Sequence, residues 1–443
     1  MSRIRVLFLA WGYSVHAETG IRPFSDDPDF DVAVAATHDY DFPNARNIPL
    51  TGASGKKALQ ERLLAWEKEG RDIRGAAGLV DRARWRLGQI GKARRVGLLL
   101  GRIGMRDLGM LRHVMNSLDL LLEMEVGLAD LGILEAAVRE FRPDVVFLQT
   151  LLYPCYLAGC LPRSLPVVVS FWNGDVTWWA EHNGTERLLK KRIVTHGVRR
   201  ARAVTVNSKA AFEACRGYGV PAGKIHLIRY PGVDPGRFHP GGRDAARARL
   251  RIGSGKVVFC PRGLGGYLNS DVIVEAAAHV AARRPDVLFL FASGVGRTTE
   301  LERHRDRVRA LGIEERVRWE GQVPREAMPA YYNAADVVVS ISSRDSLPTC
   351  MLEAMACGIP VIMGDIPAVR EWVDDGVTGF LVPTRSPEAL AERICEVLDA
   401  PRDAVGAVTR RSRERVRDEA DSGKNVDRVK ALVRGLAGRG NGR

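Results

Sequence analysis

Two α/β domains, each a parallel sheet covered by helices, are what this 443-residue sequence predicts. Three observations carry that expectation. The chain is longer than a single hydrophobic core usually holds. Short β-branched runs alternate with longer amphipathic stretches along it, the pattern of stacked βαβ units. A Pro- and Gly-rich break around Pro235–Gly255 divides the alternation into two halves.

In the first half, strands are expected at Ile4–Ala10, Asp31–Ala36, Val145–Gln149, Val167–Phe171, Ala203–Asn207 and Ile225–Ile228. These runs are short, apolar and rich in β-branched residues, as strands covered on both faces are. The second half continues at Val257–Cys260, Val287–Phe291, Val317–Trp319, Val337–Ser340, Val361–Met363 and Phe380–Val382. Stretches such as Asp271–Arg284 and Pro387–Leu398 read as the amphipathic helices between them. The predicted layout is an N-terminal domain at 1–235, a linker at 236–255, a C-terminal domain at 256–400 and a helical tail at 401–443. Residues 51–130 interrupt the first domain as a helical, Arg-rich insertion.

Composition narrows the class. An apolar fraction of 46% and a charged fraction of 27% are those of a soluble globular enzyme. No stretch approaches the roughly 18 uninterrupted apolar residues of a membrane span. The N-terminal MSRIRVLFLAWGY has no small-residue cleavage site and reads as a first buried strand, not a signal peptide. Seven cysteines without a C-x-x-C pair fit neither a zinc site nor a disulfide framework, which points to a reduced, cytoplasmic setting.

The net charge of +13 asks for an anionic partner. No zinc-finger spacing, aromatic–basic RNA motif or low-complexity basic tail indicates nucleic acid. The excess is local: residues 71–112 hold eleven Arg or Lys against three Asp, or +8 of the +13. With Trp85 and Leu98–Leu100, this stretch reads either as a segment lying on an anionic membrane or as a solvated face over the first domain. A nucleic-acid contact would lack a base-stacking motif.

The informative run is Ser340-Ile-Ser-Ser-Arg-Asp345-Ser-Leu-Pro-Thr-Cys-Met-Leu-Glu353-Ala-Met-Ala-Cys-Gly358-Ile-Pro360-Val-Ile. A strand leaves its sheet at Ser340, and a helix begins near Pro348, whose fixed φ suits a first turn. Gly358 ends it and Pro360 opens the next strand. Asp345 and Glu353 bracket the loop and the helix start. Free backbone N–H groups and the positive end of the helix dipole suit a diphosphate there. A carboxylate one turn into the helix is placed to accept both hydroxyls of a ribose, as acidic residues do in dinucleotide folds.

This run resembles the Glu-x7-Glu region of family-4 retaining glycosyltransferases of the GT-B fold, with Asp345 in the first acidic position. The resemblance continues through Gly364-Asp365-Ile-Pro-Ala-Val-Arg-Glu371 and Gly376-Val-Thr-Gly379-Phe-Leu-Val-Pro383. It reaches back to Gly321-Gln-Val323-Pro and Tyr331-Tyr-Asn-Ala-Ala-Asp336, and covers residues 200–400. Phe171-Trp-Asn-Gly174-Asp175 and Pro231-Gly232-Val233-Asp234 are similar to family segments more loosely. It implies a GT-B architecture: two Rossmann-like domains facing across a cleft, the first for acceptor and the second for donor.

Residue by residue, it implies that Glu353 binds the donor ribose and Asp345 a hydroxyl of the transferred sugar. Ser346, Leu347 and Thr349 line sugar and phosphates, mostly through backbone groups. Arg262 holds the diphosphate and stabilises the charge of the departing nucleotide. The stretch through Val323 edges the base, and Gly12 admits a close approach of backbone to donor. On the acceptor side stand Asn173, Asp175 and His16. Asp175 serves equally as a helix cap, and His16 as a group that orients a loop. The family's usual Lys after the Arg is absent from Arg262-Gly-Leu-Gly-Gly-Tyr267-Leu-Asn269, which leaves Tyr267 or Asn269 to assist. A His common in the family's first domain is Asn173 here.

The implied activity is metal-independent transfer of a hexose-type sugar from a nucleotide-diphosphate sugar to a glycan or lipid-linked acceptor, with retention and without a cofactor. Alternatives are a non-catalytic nucleotide-sugar-binding protein or a GT-B nucleotide-sugar epimerase. Asp27-Pro-Asp29, Asp29-Phe-Asp31 and Asp39-Tyr-Asp41 match the Asp-x-Asp metal signature of the other glycosyltransferase fold, and read here as loop acids.

Overall fold

The computed structural model describes residues 3–11, 15–37, 41–50, 118–149, 155–171, 184–292 and 298–440, and the single positions 97 and 101. Gly12, Asn173, Asp175, Asp39 and all but those two positions of the basic stretch 71–112 lie outside the described residues. The chain divides into two compact units: Met1–Asn207 with Ala211–Ile228 and Val426–Arg443, and Ser208–Ala210 with Arg229–Asn425.

The first unit is built on seven strands: β1 (Ile4–Trp11), β2 (Phe30–Thr37), β3 (Arg46–Leu50), β4 (Val145–Leu148), β5 (Val167–Phe171), β6 (Ala203–Val206) and β7 (Ile225–Leu227). All pair in parallel, in the order β3-β2-β1-β4-β5-β6-β7. Residues Val6–Ala10 and Val145–Phe147 are completely buried, as central strands covered on both faces must be. Phe8 packs on Phe24 and Phe147 at ring separations of 5.3 and 5.0 Å. The strand β3 was not expected from the sequence. Its Arg46-Asn-Ile-Pro-Leu50 carries a proline and little apolar character, and both are tolerated because it forms the edge of the sheet.

The second unit has six parallel strands: β8 (Lys256–Cys260), β9 (Val287–Phe291), β10 (Val317–Trp319), β11 (Val337–Ser340), β12 (Val361–Gly364) and β13 (Phe380–Val382). Their order is β10-β9-β8-β11-β12-β13. Both sheets thus start in the middle, walk to one edge, and return to the middle before walking to the other. This is the Rossmann order, and it reverses between β1 and β4 in one sheet and between β8 and β11 in the other.

The unit boundaries differ from the predicted ones. Residues 236–255 are not a linker: Phe238, Ala246 and Leu250 are buried in a core shared with Tyr331 and Tyr332, and a helix at Arg243–Arg249 lies among them. The Pro and Gly residues there shape a packed connection, and the division between units falls at Ile228/Arg229. Asp336, half-buried and directly before β11, fastens this segment to the sheet. It accepts from Arg243, Arg247 and the Val257 amide at 2.7, 2.8 and 2.9 Å.

The C-terminal tail forms two helices, Arg402–Glu419 and Ser422–Gly440. From Val426 onward the chain belongs to the first unit. There Lys430 pairs with Asp27 at 2.7 Å and Arg434 with Asp29 at 2.8 Å. Among the described residues no helix is long and apolar enough to cross a membrane.

Candidate active site

In an open parallel sheet, ligands bind at the carboxyl ends of the strands where the order reverses. In the second unit that point lies between β8 and β11. The loop after β8 carries Arg262, and the loop after β11 carries Asp345. The Arg262 Nη1 donates to Asp345 Oδ2. The Asp345 side chain is 8% exposed and that of Arg262 26%, so the pair is shielded enough for removal of either partner to strand a charge. The other Asp345 oxygen accepts the Ser346 amide at 2.8 Å, which fixes the carboxylate against the turn. Two residues placed by sequence in one site are therefore in direct contact.

Ser346 and Leu347 are buried, and Thr349 is half-buried at the start of the helix Thr349–Ala356. Pro348 occupies the N-cap position and offers no side-chain acceptor. The first-turn amides have no acceptor within the helix, as at every helix start. Ser346 Oγ lies 3.3 Å from Ser208 Oγ in the same unit. Cys350 on this helix and Cys357 at its C-cap flank Glu353, and burial pushes their thiols up to about 11 and about 12, which keeps them protonated at neutral pH. All seven cysteines are free.

Glu353 sits one turn into the helix and accepts from the Tyr332 hydroxyl at 2.7 Å. Burial raises its carboxyl above the usual range, opposed by the Tyr332 hydrogen bond and the charges of Arg325 and Arg237. Tyr332 is fully buried and belongs to the preceding helix, Met328–Ala334. Sequence reading did not single it out as a partner, because only the fold brings it across 21 positions to Glu353.

One expectation is revised. Asn269 is not available to replace the missing Lys. Its Nδ2 stands 2.8, 2.7 and 3.0 Å from Ile341 O, Ser343 Oγ and Thr384 O, which share its two N–H groups, and its Oδ1 accepts from Arg385 at 3.1 Å. One amide thus ties together the loops after β8, β11 and β13. Tyr267 lies on the same loop; its carbonyl accepts the Ser343 amide at 2.7 Å, and Arg344 stands 4.9 Å over its ring. Glu371, part of the quoted motif, is a structural clamp: it accepts from the Lys209 and Ala210 amides and pairs with Arg229 at 2.9 Å, all within the second unit.

Val323 is half-buried and follows β10, at the carboxyl-end edge of the sheet that also carries Arg262 and Asp345. His16 lies in the helix Val15–Ser25 of the first unit, with its side chain outside the described set. Asp27 and Asp29 are engaged by Lys430 and Arg434, which accounts for one of the Asp-x-Asp matches.

A pair of Rossmann-ordered units, the second with an Arg–Asp pair at its switch point and a half-buried Glu on the next helix, defines a class: the two-domain glycosyltransferases. Residues 110–237 match the family described as Glycosyltransferase Family 4, and residues 243–420 the family described as Glycosyl transferases group 1. This chain belongs to the family-4-type glycosyltransferases of the GT-B fold.

Its relatives include D-inositol 3-phosphate glycosyltransferases. That of Geodermatophilus obscurus is 39% identical over 192 residues, 42% of each chain. That of Kribbella flavida is 31% identical over 229 residues, covering 50% of this chain and 53% of the relative. The chain spans about half the length of the curated relatives it matches. Among solved structures, Anabaena HepE in complex with UDP superposes with a TM-score of 0.67 at 16% identity, covering 98% of this chain and 100% of that one. Sucrose-phosphate synthase from Thermosynechococcus elongatus gives 0.68 at 18% identity, covering 98% and 99%. These two likenesses establish the fold.

Proposed function

We propose that this protein transfers a hexose-type sugar from a nucleotide-diphosphate sugar to a glycan or lipid-linked acceptor, with retention at the anomeric carbon and without a metal ion. The observation that carries the reading is the Arg262–Asp345 pair at the switch point, with Glu353 on the helix that follows. Glu353 accepts the ribose hydroxyls. The diphosphate lies against Arg262 and the amides that open Thr349–Ala356, along Ser346 and Leu347, and Val323 edges the base. As donor enters, Arg262 turns from Asp345 to the phosphates, which frees the carboxylate for a sugar hydroxyl.

In the reaction the bond from anomeric carbon to phosphate oxygen breaks, and an acceptor oxygen bonds to that carbon on the same face. The acceptor proton passes to the departing phosphate oxygen, and Arg262 stabilises the remaining charge on the nucleotide diphosphate. A guanidinium and a helix start supply the positive charge that a divalent ion supplies elsewhere. Gly12, Asn173, Asp175 and His16 remain the proposed first-domain contacts. Support comes from the likeness to D-inositol 3-phosphate glycosyltransferases, and from HepE, solved with UDP-glucose.

The test is turnover of a panel of nucleotide sugars in excess EDTA, with the anomeric configuration of the product read by NMR. Activity that survives the chelator and an α-linked product from an α-linked donor are expected. Activity restored only by manganese or magnesium, or a β-linked product, overturns the metal-independent or the retaining part. Binding without any turnover or donor hydrolysis makes the protein a nucleotide-sugar binder instead.

A further inference from the structure

The first unit holds a cavity of about 400 Å³ walled by Arg163, His196, Arg199, Arg200, Arg202 and Lys224. Among the described residues no carboxylate lines it. The fold brings these cations together from separate elements. The last turns of the helix Gly184–Arg200 deliver His196, Arg199 and Arg200. Arg163 precedes β5, and Arg202 and Lys224 stand directly before β6 and β7. The cavity therefore opens at the amino ends of three strands, the edge opposite to the one where such sheets take their usual ligands.

Part of this charge has a structural use. Arg199 Nε donates to Tyr218 O at 2.9 Å, and Arg200 Nη2 to Pro162 O and Leu165 O at 2.8 and 3.0 Å. The C-terminal end of a helix also favours cations. Carbonyls are neutral, however, and leave the net charge unbalanced. Two buried atoms, His196 Nε2 and Arg200 Nε, have no hydrogen-bond partner, which is uncommon in a folded interior. Burial, then the charges of Arg200 and Arg163, hold the His196 imidazole below its usual range. Burial, then Arg202 and Arg163, depress Arg200. The group repels itself, and an anion would relieve it.

A second cavity of about 680 Å³ shares Arg202 and Lys224 with the first. Its far wall is apolar, formed by Ala431, Leu432, Gly435 and Leu436 of the C-terminal helix. We infer that the two cavities form one binding site for a phosphate ester, its phosphate held by the arginine forks and its organic part against the Leu432–Leu436 wall. Guanidinium groups match phosphate oxygens in pairs and stay charged when shielded. The site belongs to the first unit and the Arg262–Asp345 centre to the second, and it does not depend on the reaction proposed there. Its ligand comes either from solution or from a phospholipid headgroup.

The test compares the full chain with an Arg163→Gln/Arg202→Gln/Lys224→Gln variant. These three side chains make no hydrogen bond or ion pair among the described residues. Glycerol 3-phosphate and inorganic phosphate are titrated by calorimetry, and co-sedimentation is measured with phosphatidylglycerol and phosphatidylcholine vesicles. The wild type should bind glycerol 3-phosphate or the phosphatidylglycerol vesicles, more weakly as salt rises, and the variant should lose about tenfold or more in affinity. Binding of the free ester identifies a soluble source, and binding of the anionic vesicles alone a membrane source. In phosphate-free buffer the variant should melt at or above the wild type, since repulsion has been removed. If it does not fold, Arg202→Gln alone serves the same comparison. No binding of any probe by the wild type, or equal affinity in the variants, overturns the site.

Discussion

Arg262 and Asp345 neutralise one another, whereas Glu353 has the Tyr332 hydroxyl as its close partner, and burial holds its carboxyl above the usual range. Folding therefore disfavours its charged form, so any stability it lends is present at low pH and lost as pH rises through the raised value. Ribose hydroxyls would donate to the charged form. Nucleotide affinity should accordingly climb as pH rises through that value and then level off. Glu353→Gln should lose about 1.5–3 kcal/mol of nucleotide binding and show no such climb. Titrating free nucleotide against both proteins from mildly acid to neutral pH checks both points, and equal constants remove Glu353 from the site. Arg262→Ala should lower kcat by roughly 10²–10³-fold if it stabilises the departing diphosphate. At this scale the acidic motif was legible because its spacing lies along the chain. The Tyr332 partner and the engagement of Asn269 were not: each contact joins residues that only the folded sheet brings together. Asn269 also adopts a left-handed backbone, φ 52°, which nothing in its neighbours announces.

Among the elements, strands were read where β-branched runs stand between turns, and the edge strand β3 escaped because an edge does not require apolar residues on both faces. The connection 236–255 was misread for a related reason. Its Pro and Gly residues carry turns, while the few apolar groups that anchor it, Phe238, Ala246 and Leu250, are too sparse to show a period. Asp336 makes the anchoring quantitative. Its carboxyl is held below the usual range: burial works against the charge, and the Val257 amide, Arg243 and Lys256 outweigh it. Its contribution is thus present above the unfolded carboxyl value and is lost as pH falls through the lower folded one. Asp336→Ala strands Arg247 and should cost about 3–5 kcal/mol, measurable by urea denaturation at neutral pH. Gly232 is a second fixed point. A Cβ there would stand 2.3 Å from Ala420 O, at a φ of 84°, so Gly232→Ala should melt several degrees lower.

For the whole molecule, the two-unit division was visible as rhythm, but its boundary was not, because the chain passes between units more than once. The helix Ser422–Gly440 completes the first unit, with Lys430 and Arg434 over the Phe24 and Phe30 rings and paired to Asp27 and Asp29. A chain ending at Asn425 should keep a cooperative melt for the second unit while the first melts earlier, seen as two transitions in calorimetry. One transition at the wild-type temperature would show that the helix contributes nothing.

That helix also sets an order of events during synthesis. The ribosome begins with the first unit, yet the chain of the second, Arg229–Asn425, emerges whole before Lys430 and Arg434 do. Domains generally fold as their chains become available. The earliest part of the nascent protein therefore waits longest for its last contacts, and the benzyl rings of Phe24 and Phe30 stay open to other chains or to a chaperone during that interval.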